Sequence, residues 1–385
     1  MPAARARIEF NRHEAAGCFG DLGTDLPLLA AMIVAAQLNV ASVLVVFGVL
    51  QIATGLLYRM PMPVQPLKAM AAIVIAQKAD AATLYGGGLA IGVLVLLLTA
   101  TGLLTWLARV IPPAVVRGVQ FGLGLQLALL AGRDFIGPAG WLGWALAAGA
   151  FVIVVGLWGH QRWPAALIVI ALGLVFAGLF DLDWIALRAG AGFALPAWQV
   201  PAGPDIWLGL LVLALPQLPL SLGNSILATE RLAADLFPER APNVRKLGFT
   251  YAAMNLVAPF FGGVPVCHGS GGMAGHYAFG ARTGGSVVIY GTCFIAVGLF
   301  FSGSFDQVLR FFPRAILGVL LFFEGLALLR RVRDAGLARH EWLVTFIVGL
   351  CAVSLPYGYL VGLLIGWLVH AWIKRKGDLH EVEVH

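Results

Sequence analysis

The sequence predicts an all-α polytopic membrane protein with a 7+7 inverted-repeat fold. Three observations lead to this prediction: an apolar composition, fourteen apolar segments that divide into two equal halves, and one broken segment at the same place in each half. Hydrophobic residues make up 60% of the 385, and charged residues only 11%. A soluble domain carries about 25% charged residues, whereas the mean hydropathy here is +0.90. The composition therefore excludes an ordinary soluble protein.

Apolar runs alternate with polar breaks along the whole chain. A helix needs about twenty apolar residues to cross a bilayer, and runs near that length occur fourteen times. The predicted transmembrane segments cover residues 18–38, 41–58, 64–79, 86–108, 113–131, 140–159, 164–180, 206–229, 246–262, 267–281, 286–303, 306–329, 341–355 and 357–373. Segments three and ten are the short ones, and both are broken.

The fourteen segments fall into two repeats of seven. The first predicted repeat is 1–180 and the second is 206–374, with the linker 181–205, rich in Gly, Pro and Trp, between them. An odd number of spans in each repeat inverts the second repeat relative to the first. The linker is then expected on the extracytoplasmic side.

The basic residues predict the orientation. With a cytoplasmic N-terminus, nineteen of the 25 Lys and Arg residues fall on the cytoplasmic side and five on the other, and Lys68 alone lies within a span. Cytoplasmic loops carry an excess of Lys and Arg, so a multi-pass protein of the inner (cell) membrane with both termini in the cytoplasm is expected. Topology accounts for the net charge of +6, and no nucleic-acid partner is expected.

Two short stretches rich in Pro or Gly interrupt segments three and ten. Residues 60–68 read Met-Pro-Met-Pro-Val-Gln-Pro-Leu-Lys, and residues 263–272 read Gly-Val-Pro-Val-Cys-His-Gly-Ser-Gly-Gly. Lipid does not tolerate unpaired backbone unless protein or a water-filled cavity surrounds it. Broken spans at matching positions of two repeats are typical of the substrate site of a transporter. The alternative interpretation is that Pro and Gly merely kink two spans.

Each break reads as a short extended segment followed by the start of a helix. The first N–H groups of such a helix have no partner within it, and the helix dipole adds partial positive charge there. Two such ends that meet from opposite directions form a cavity suited to an anion. Pro66 fits the first helical turn, while Gly269, Gly271 and Gly272 allow backbone to approach a ligand closely.

Lys68 is the single basic residue predicted within the membrane, two positions after Pro66. A charge at this depth is costly and by default functional. It can pair with an anionic substrate or hold a fixed carboxylate such as Asp21 or Asp25, and the alternative is that it snorkels to the surface. Asp21 is the first candidate for ion coupling and Asp25 the second, while Glu324 is expected to pair across helices.

Neutral hydrogen-bonding side chains surround the two breaks. Gln65 precedes the first half-helix, and His268 and Ser270 flank the second; His268 is equally compatible with a structural role. Segment eight also carries polar groups at spacings of three and four, which places them on one helical face. That face is expected to line the cavity, although a helix–helix seam is the alternative. Its members are Gln217, Ser221, Asn224 and Ser225.

Several classes of function are disfavoured by what the sequence lacks. Residues 206–229 and 264–281 contain no Asp or Glu, so the predicted cavity favours a small oxyanion over a neutral, protonatable base. The four Cys are scattered through apolar spans, which predicts neither a disulfide nor a metal site. We find no motif typical of an enzyme or of cofactor binding. The Gly-rich run does not form a nucleotide-binding P-loop, because no Gly-Lys-Ser/Thr follows it.

The same residues resemble the molybdate transporter family of plants, algae and bacteria, distant relatives of the SulP sulfate permeases that lack a STAS domain. The first matching motif is Gly-Asp-Leu-Gly-Thr at 20–24, with Thr24, followed by Pro-Met-Pro-Val-Gln-Pro-Leu-Lys at 61–68. The second is Pro-Gln-Leu-Pro-Leu-Ser-Leu-Gly-Asn-Ser at 216–225, followed by Pro-Val-Cys-His-Gly-Ser-Gly-Gly at 265–272. The resemblance covers nearly the whole chain. At position 25, many family members are expected to have a bulky apolar residue before Leu-Pro, whereas this chain has Asp25. The difference bears on how transport is coupled to an ion and not on the fold.

The resemblance implies a 7+7 inverted-repeat transporter fold in which a core domain moves against a gate domain. The core would comprise 18–108 plus 206–303, and the gate 113–180 plus 306–373. It further implies a homodimer and molybdate as the substrate, held between the half-helices of segments three and ten. The substrate-binding candidates are Thr24, Gln65, Lys68, Gln217, Ser221, His268, Gly269, Ser270 and Gly271.

The function expected from these residues and this resemblance is import of molybdate by secondary, elevator-type alternating access. Sulfate and tungstate share the charge and shape of molybdate, so both stay open as substrates, as does a nucleobase. An anion channel on the same scaffold is the alternative from another class. No enzyme activity, metal or cofactor is expected.

Overall fold

The computed structural model describes residues 7–158, 163, 165–355 and 358–382, and most of them are helical. In chain order the α-helices are α1 (Arg12–Gly17), α2 (Leu22–Ala35), α3 (Val40–Tyr58), α4 (Lys68–Gln77), α5 (Ala81–Ala100), α6 (Leu103–Val110), α7 (Pro113–Leu130), α8 (Gly140–Gly156), α9 (Ala165–Phe180), α10 (Trp184–Ala189), α11 (Gly203–Gly209), α12 (Leu215–Leu220), α13 (Thr229–Leu236), α14 (Val244–Val257), α15 (Ser270–Ala278), α16 (Gly285–Phe300), α17 (Phe305–Arg310), α18 (Arg314–Arg333), α19 (Arg339–Ser354) and α20 (Gly358–Val382).

Short turns of other helical types connect some of these helices. The 3₁₀ segments are Cys18–Asp21, Gly137–Ala139, Ala258–Phe261 and Ser302–Ser304, and the π-helical segments are Ala131–Ile136, Leu210–Ala214 and Ser221–Ala228. Two π-helical segments flank α12, in which Pro219 lies. A proline inside a helix removes one ladder hydrogen bond, and π-helical turns are frequent at functional sites.

Two strands form the one sheet of the described residues. Strand β1 (Val64–Pro66) pairs antiparallel with β2 (Val266–His268), with Gln65 opposite Cys267. Each strand leads into a short helix, β1 into α4 and β2 into α15. Segments three and ten are therefore broken as predicted, and neither is a continuous rod.

Buried amide side chains satisfy the backbone of these strands in the same way in both halves. Gln51 of α3 donates to the carbonyl oxygen of Val64 at 2.8 Å and accepts its N–H at 3.0 Å. Asn255 of α14 donates to the carbonyl oxygen of Val266 at 2.6 Å and accepts its N–H at 2.9 Å. Such bonds matter because a buried backbone group without a partner is costly. We call these two side chains the strand clamps.

The helices around the sheet pack in two crossed pairs, α3 with α16 and α5 with α14. At the α3–α16 crossing, a Cβ added to Gly48 would overlap the carbonyl oxygen of Gly291, and one added to Gly291 would overlap that of Gly48. Small residues allow membrane helices to approach this closely. A second group consists of α7, α18, α19 and α20, and α18 also contacts α2 and α15.

The predicted boundaries of three segments need correction. Segment four, predicted as one helix over 86–108, is divided at Gly102, whose φ of +78° ends α5 and begins α6. Segment twelve is interrupted between α17 and α18, because Pro313 precedes the first turn of α18 and proline cannot continue a helix. Segment eight is longer than predicted and runs as a helix of mixed type over Gly203–Leu236.

By length and composition alone, five helical stretches of the described residues could each cross a membrane, or six if one pair bent by 86° counts as a single span. The five are Arg12–Ala35, Val40–Tyr58, Ala81–Ala100, Pro113–Gly156 and Gly203–Leu236. Helical structure is present in all fourteen predicted ranges. Several of these pieces are shorter than a full span, so the count of fourteen stays a prediction.

The linker between the halves is packed against the ends of other elements. Its backbone N–H groups at Gly192 and Ala194 donate to the carbonyl oxygens of Phe300 and Leu299, and Arg310 donates to the carbonyl oxygen of Asp181. At a different set of helix ends, the buried Glu14 accepts N–H bonds from Arg282, Thr283 and Ser286. Each group of contacts joins segments that the predicted topology assigns to one side of the membrane.

Candidate functional site

The candidate site lies where α4 and α15 begin. Because β1 and β2 are antiparallel and each leads directly into its helix, the two helices start with opposite chain directions. The N–H of Leu67, just before α4, donates to the carbonyl oxygen of Pro265 at 3.0 Å and ties the two breaks together. Two helix N-termini, each with N–H groups that have no partner within the helix and with partial positive charge, are thus close to one another.

Protein groups already occupy the N-terminus of α4. The side-chain oxygen of Gln217 accepts the N–H of Ala69 at 2.8 Å and that of Met70 at 3.1 Å. Its amide nitrogen donates to the Ser221 hydroxyl at 3.1 Å, which lies 2.7 Å from the hydroxyl of Tyr251. Gln217 and Ser221 therefore form a buried cap on α4, and the donors of this helix end are largely used.

The N-terminus of α15 is different. Ser270, Gly271 and Gly272 are buried, yet their backbone N–H groups donate to no protein acceptor among the described residues, since the first α15 bond runs from Met273 to Gly269. The Ser270 hydroxyl donates to the Asn224 side chain at 2.7 Å. Buried donors without partners at a helix start are the donor set that binds an anion.

Three carboxyl groups and one ammonium group lie beside this end of α15. Asp21, Asp25 and Glu324 are each 0% exposed. Asp21 accepts the Gln65 amide at 2.6 Å, Glu324 accepts the Thr24 hydroxyl at 2.9 Å, and Asp25 accepts the Tyr290 hydroxyl. One oxygen of each carboxyl group has no hydrogen-bond partner among the described residues. We call these three carboxyl groups the acid cluster.

Lys68 stands next to the acid cluster at the start of α4. Its Nζ is buried and makes no hydrogen bond within the described part of the chain. It is close enough to Asp21, Asp25 and Glu324 for direct electrostatic interaction with all three. Lys68 therefore balances at most one of three nearby negative charges.

The glycines at the start of α15 make room for these side chains. A Cβ on Gly269 would overlap the Gln65 amide, and one on Gly272 would overlap Asp21 Oδ2. On Gly271 it would lie 2.6 Å from Glu324 Oε1. The glycines thus allow polar side chains of the protein to lie against the helix backbone. From the sequence, this close approach was expected for a ligand.

His268 is held by protein contacts on both ring nitrogens. Its Nε2 lies 2.7 Å from the Thr250 hydroxyl, and its Nδ1 lies 3.4 Å from the carbonyl oxygen of Pro63. The ring also packs edge-on against Tyr58, with centroids 5.4 Å apart. These contacts are those of a structural histidine that fixes the strands, one of the two roles considered from the sequence.

Two cavities open at Lys68. One, of about 540 Å³, is lined by α4, α12, α19 and α20; the other, of about 320 Å³, is lined by α2, α7 and Phe135. Both are far larger than the roughly 30 Å³ that a water molecule occupies. Lys68 and Gln126 line both cavities, so the site can communicate with space between the two helix groups.

Sequence reasoning missed some residues of this region. Gln126 of α7 donates to the Ala352 carbonyl at 2.8 Å and accepts the Tyr359 hydroxyl at 2.6 Å, which joins three helices at the cavity wall. The strand clamps Gln51 and Asn255 were also missed. Each is a lone amide within an otherwise apolar stretch, and that isolation is the signal that could have revealed it. Within the described residues, no group of His, Cys, Asp or Glu has the geometry to hold a metal ion.

Comparison with known proteins places the chain among its relatives. A family model described as "Molybdate transporter of MFS superfamily" matches residues 13–127 and 209–328. The matched regions include both strands, both half-helices and the acid cluster. Arabidopsis thaliana molybdate transporter 2 is 34% identical over 91% of this chain and 86% of its own length. Molybdate transporter 1 of the same plant is 31% identical, over 94% and 88%. Molybdate transporter 1 of Chlamydomonas reinhardtii is 29% identical, over 91% and 90%.

Solved structures share the fold at low sequence identity. The transmembrane domain of the cyanobacterial bicarbonate transporter BicA gives a TM-score of 0.57 at 18% identity and covers 94% of this chain and 98% of that one. The murine anion transporter Slc26a9 gives 0.62 at 12% identity, over 98% and 70%. The fold is therefore that of the helical, inverted-repeat SLC26-type transporters.

Proposed function

The chain belongs to the molybdate transporter family, and from that premise we propose that it is a secondary transporter of molybdate rather than an enzyme or a channel. One observation carries the proposal: the buried N-terminus of α15 has donors without protein partners, and the Lys68 ammonium group interacts with the carboxyl groups beside that end. A doubly negative oxyanion supplies the acceptors and the charge that these groups lack. The curated relatives are named as molybdate transporters, which supports this substrate.

We propose a division of labour among the candidate residues. Lys68 supplies the positive charge, while Gly269, Ser270 and Gly271 supply backbone and hydroxyl donors at the α15 end. Thr24 and Gln65 lie at the same end, where each donates a hydrogen bond to a carboxyl group of the acid cluster: Thr24 to Glu324 and Gln65 to Asp21. Gln217, Ser221 and His268 act behind the site, because their polar atoms are engaged by protein partners. Asp21 and Asp25 are the proposed coupling residues.

Transport is proposed to follow an elevator mechanism with fourteen spans. The core, 18–108 plus 206–303, would slide against the gate, 113–180 plus 306–373, and import the anion. Two observations support this division: both cavities at Lys68 are lined from core and gate helices, and the Thr24–Glu324 bond joins the two units. We further propose a homodimer in the inner membrane, with both termini cytoplasmic as the excess of basic residues on that side indicates.

One titration series tests the proposed substrate. Purified protein is titrated with molybdate, tungstate and sulfate, and uptake of each is then followed in proteoliposomes. Saturable molybdate uptake with the tightest binding is expected. A preference for sulfate or tungstate would reassign the substrate within the oxyanions, and uptake of labelled uracil without oxyanion binding would favour a nucleobase. Electrical currents far beyond carrier turnover in planar bilayers would favour a channel.

A further inference from the structure

Glu324 reaches the anion-binding end of α15 from α18, on the opposite side of the proposed core–gate boundary. Its Oε2 accepts the Thr24 hydroxyl at 2.9 Å, while its Oε1 has no hydrogen-bond partner among the described residues. A Cβ on Gly271 would lie 2.6 Å from Oε1, and one on Gly275 would lie 3.2 Å from Glu324 Cγ. The side chain therefore lies along the first two turns of α15, in a groove formed by two glycines four residues apart.

The groups that face Glu324 leave its charge poorly balanced. Span one contributes Asp21 and Asp25, and α4 contributes Lys68. From α7 come the apolar Leu123 and Leu127 beside Gly271, while the buried Arg117 of the same helix is paired with Asp235. The remaining neighbours add no balancing charge: α8 and α9 carry no ionisable side chain, Arg133 and Asp134 are exposed, and His276 of α15 instead contacts Ser286 and Tyr290.

With all four groups ionised, the acid cluster and Lys68 carry a net charge of −2, fully buried. Burial of unbalanced charge is strongly unfavourable, and such groups tend to neutralise instead. A second dianion placed at the start of α15 would make the imbalance larger. Protonation of one carboxyl group relieves part of this imbalance.

Asp21 and Asp25 already offer one place for a proton. The two residues are four positions apart at the start of the first span, and each has one buried carboxyl oxygen without a hydrogen-bond partner among the described residues. Two carboxylates that share a buried site favour holding one proton between them. Glu324 has no acidic partner of this kind, and its free Oε1 lies directly against the α15 backbone. It is therefore the carboxyl group whose charge most directly opposes an anion there.

Building on the proposed function, we infer that Glu324 takes up one proton for each oxyanion bound. In the empty site the partial positive charge at the start of α15 offsets the charge of the Glu324 carboxylate, which lies against it as a tethered anion. When the oxyanion arrives, the carboxylate accepts a proton at Oε1 from a hydronium ion of the solvent: one O–H bond of hydronium breaks, the O–H bond of the Glu324 acid forms, and a water molecule is released. Its Oε2 keeps the Thr24 bond, and the new O–H turns a repelling acceptor into a donor to the oxyanion. Release of the oxyanion returns the proton to water.

The test measures proton uptake on binding. Molybdate is titrated into purified protein by calorimetry between about pH 6 and pH 8, in buffers of different ionisation enthalpy. The expected wild-type result is uptake of protons on binding. The affinity for molybdate should then rise about tenfold for each unit by which the pH is lowered, for each proton linked. In Glu324→Gln, a permanently neutral isostere, the count should fall by about one, and binding near pH 8 should be at least tenfold tighter than in the wild type.

Two further variants separate this role from a structural one. Glu324→Asp keeps a titratable group and should keep the proton. Glu341→Gln removes an exposed carboxylate that caps α19 and should leave the proton count unchanged. An equal proton count in wild type and Glu324→Gln would overturn the inference. If neither Glu324 variant can be purified, the wild type decides, since binding without proton uptake also overturns it. Absence of oxyanion binding at every pH would instead reject the proposed function.

Discussion

The side-chain oxygen of Gln217 accepts the backbone N–H of Ala69 at 2.8 Å and so closes the amino end of α4. The corresponding end of α15 has no such cap. The two half-helices therefore have similar geometry but differ in whether a protein side chain caps their first N–H groups. One end is completed by the protein, and the other has donors left over for a ligand.

The first prediction concerns this cap. Gln217→Leu leaves the N–H groups of Ala69, which is partly buried, and of Met70, which is buried, without an acceptor; a buried group left this way costs about 1–3 kcal/mol. We expect a lower unfolding temperature in detergent, measured by thermal scanning. Gln217→Glu keeps the acceptor but adds negative charge, so it should retain most of the stability and bind molybdate more weakly.

Gln37→Leu is a suitable control for Gln217→Leu, because Gln37 is exposed and donates only to the nearby Val34 carbonyl. Its unfolding temperature should match that of the wild type. Equal stability of Gln217→Leu and the wild type would show that the cap does not hold α4.

The second prediction concerns Lys68, whose Nζ is buried beside the acid cluster. Lys68→Ala removes the positive side chain that interacts with the acid cluster, so uptake of molybdate should be abolished while the protein still reaches the membrane. Lys68→Arg keeps the charge and should retain part of the affinity. Uptake into proteoliposomes and equilibrium binding measure both effects.

Lys374→Ala provides the matched control, since this lysine is exposed on α20 and its loss should change neither quantity. Near-normal affinity in Lys68→Ala would refute a direct charge role. Lys68 would then serve only to balance the acid cluster.

The third prediction uses the close approach of Glu324 to α15. In Gly271→Ala the new methyl group would lie 2.6 Å from Glu324 Oε1, so the carboxyl group must move away from the helix end. Overpacking of this kind costs about 1–3 kcal/mol. We expect folded protein whose molybdate affinity falls and whose dependence of binding on pH changes.

Gly149→Ala serves as the comparison, because a Cβ at Gly149 of α8 meets no atom within 4 Å. This variant should bind like the wild type. Unchanged binding and pH dependence in Gly271→Ala would mean that the contact with Glu324 has no role in the site.

The two breaks at the candidate site were predictable from sequence, because Pro61, Pro63, Pro66 and the glycines after His268 interrupt spans that are otherwise continuous. Local chemistry was sufficient there. The partners of those residues were not predictable, since Glu324 meets Thr24 across 300 positions of the chain. The spacing of polar groups on segment eight indicated a cavity wall, but only the packing reveals that Gln217 faces α4. Likewise, the breaks at Gly102 and Pro313 lie within apolar runs, which hydropathy alone reads as single spans.

The fourth prediction concerns the strand clamps. Gln51 and Asn255 each satisfy both backbone groups of one strand residue, Val64 and Val266 respectively. Gln51→Leu and Asn255→Leu should each leave one buried N–H and one buried carbonyl unpaired, at about 1–3 kcal/mol per group. Because the two clamps do the same work in the two halves, we expect similar losses of stability, measured by thermal unfolding in one detergent.

The double variant tests whether the clamps act on one unit. The two strands pair with each other, so loss of one clamp should already loosen the partner strand. The effect of both substitutions together should therefore be smaller than the sum of the single effects, by about 0.5–3 kcal/mol, as is usual for coupled sites. Strict additivity would mean that each strand is held independently, and that the two half-helices can shift separately during transport.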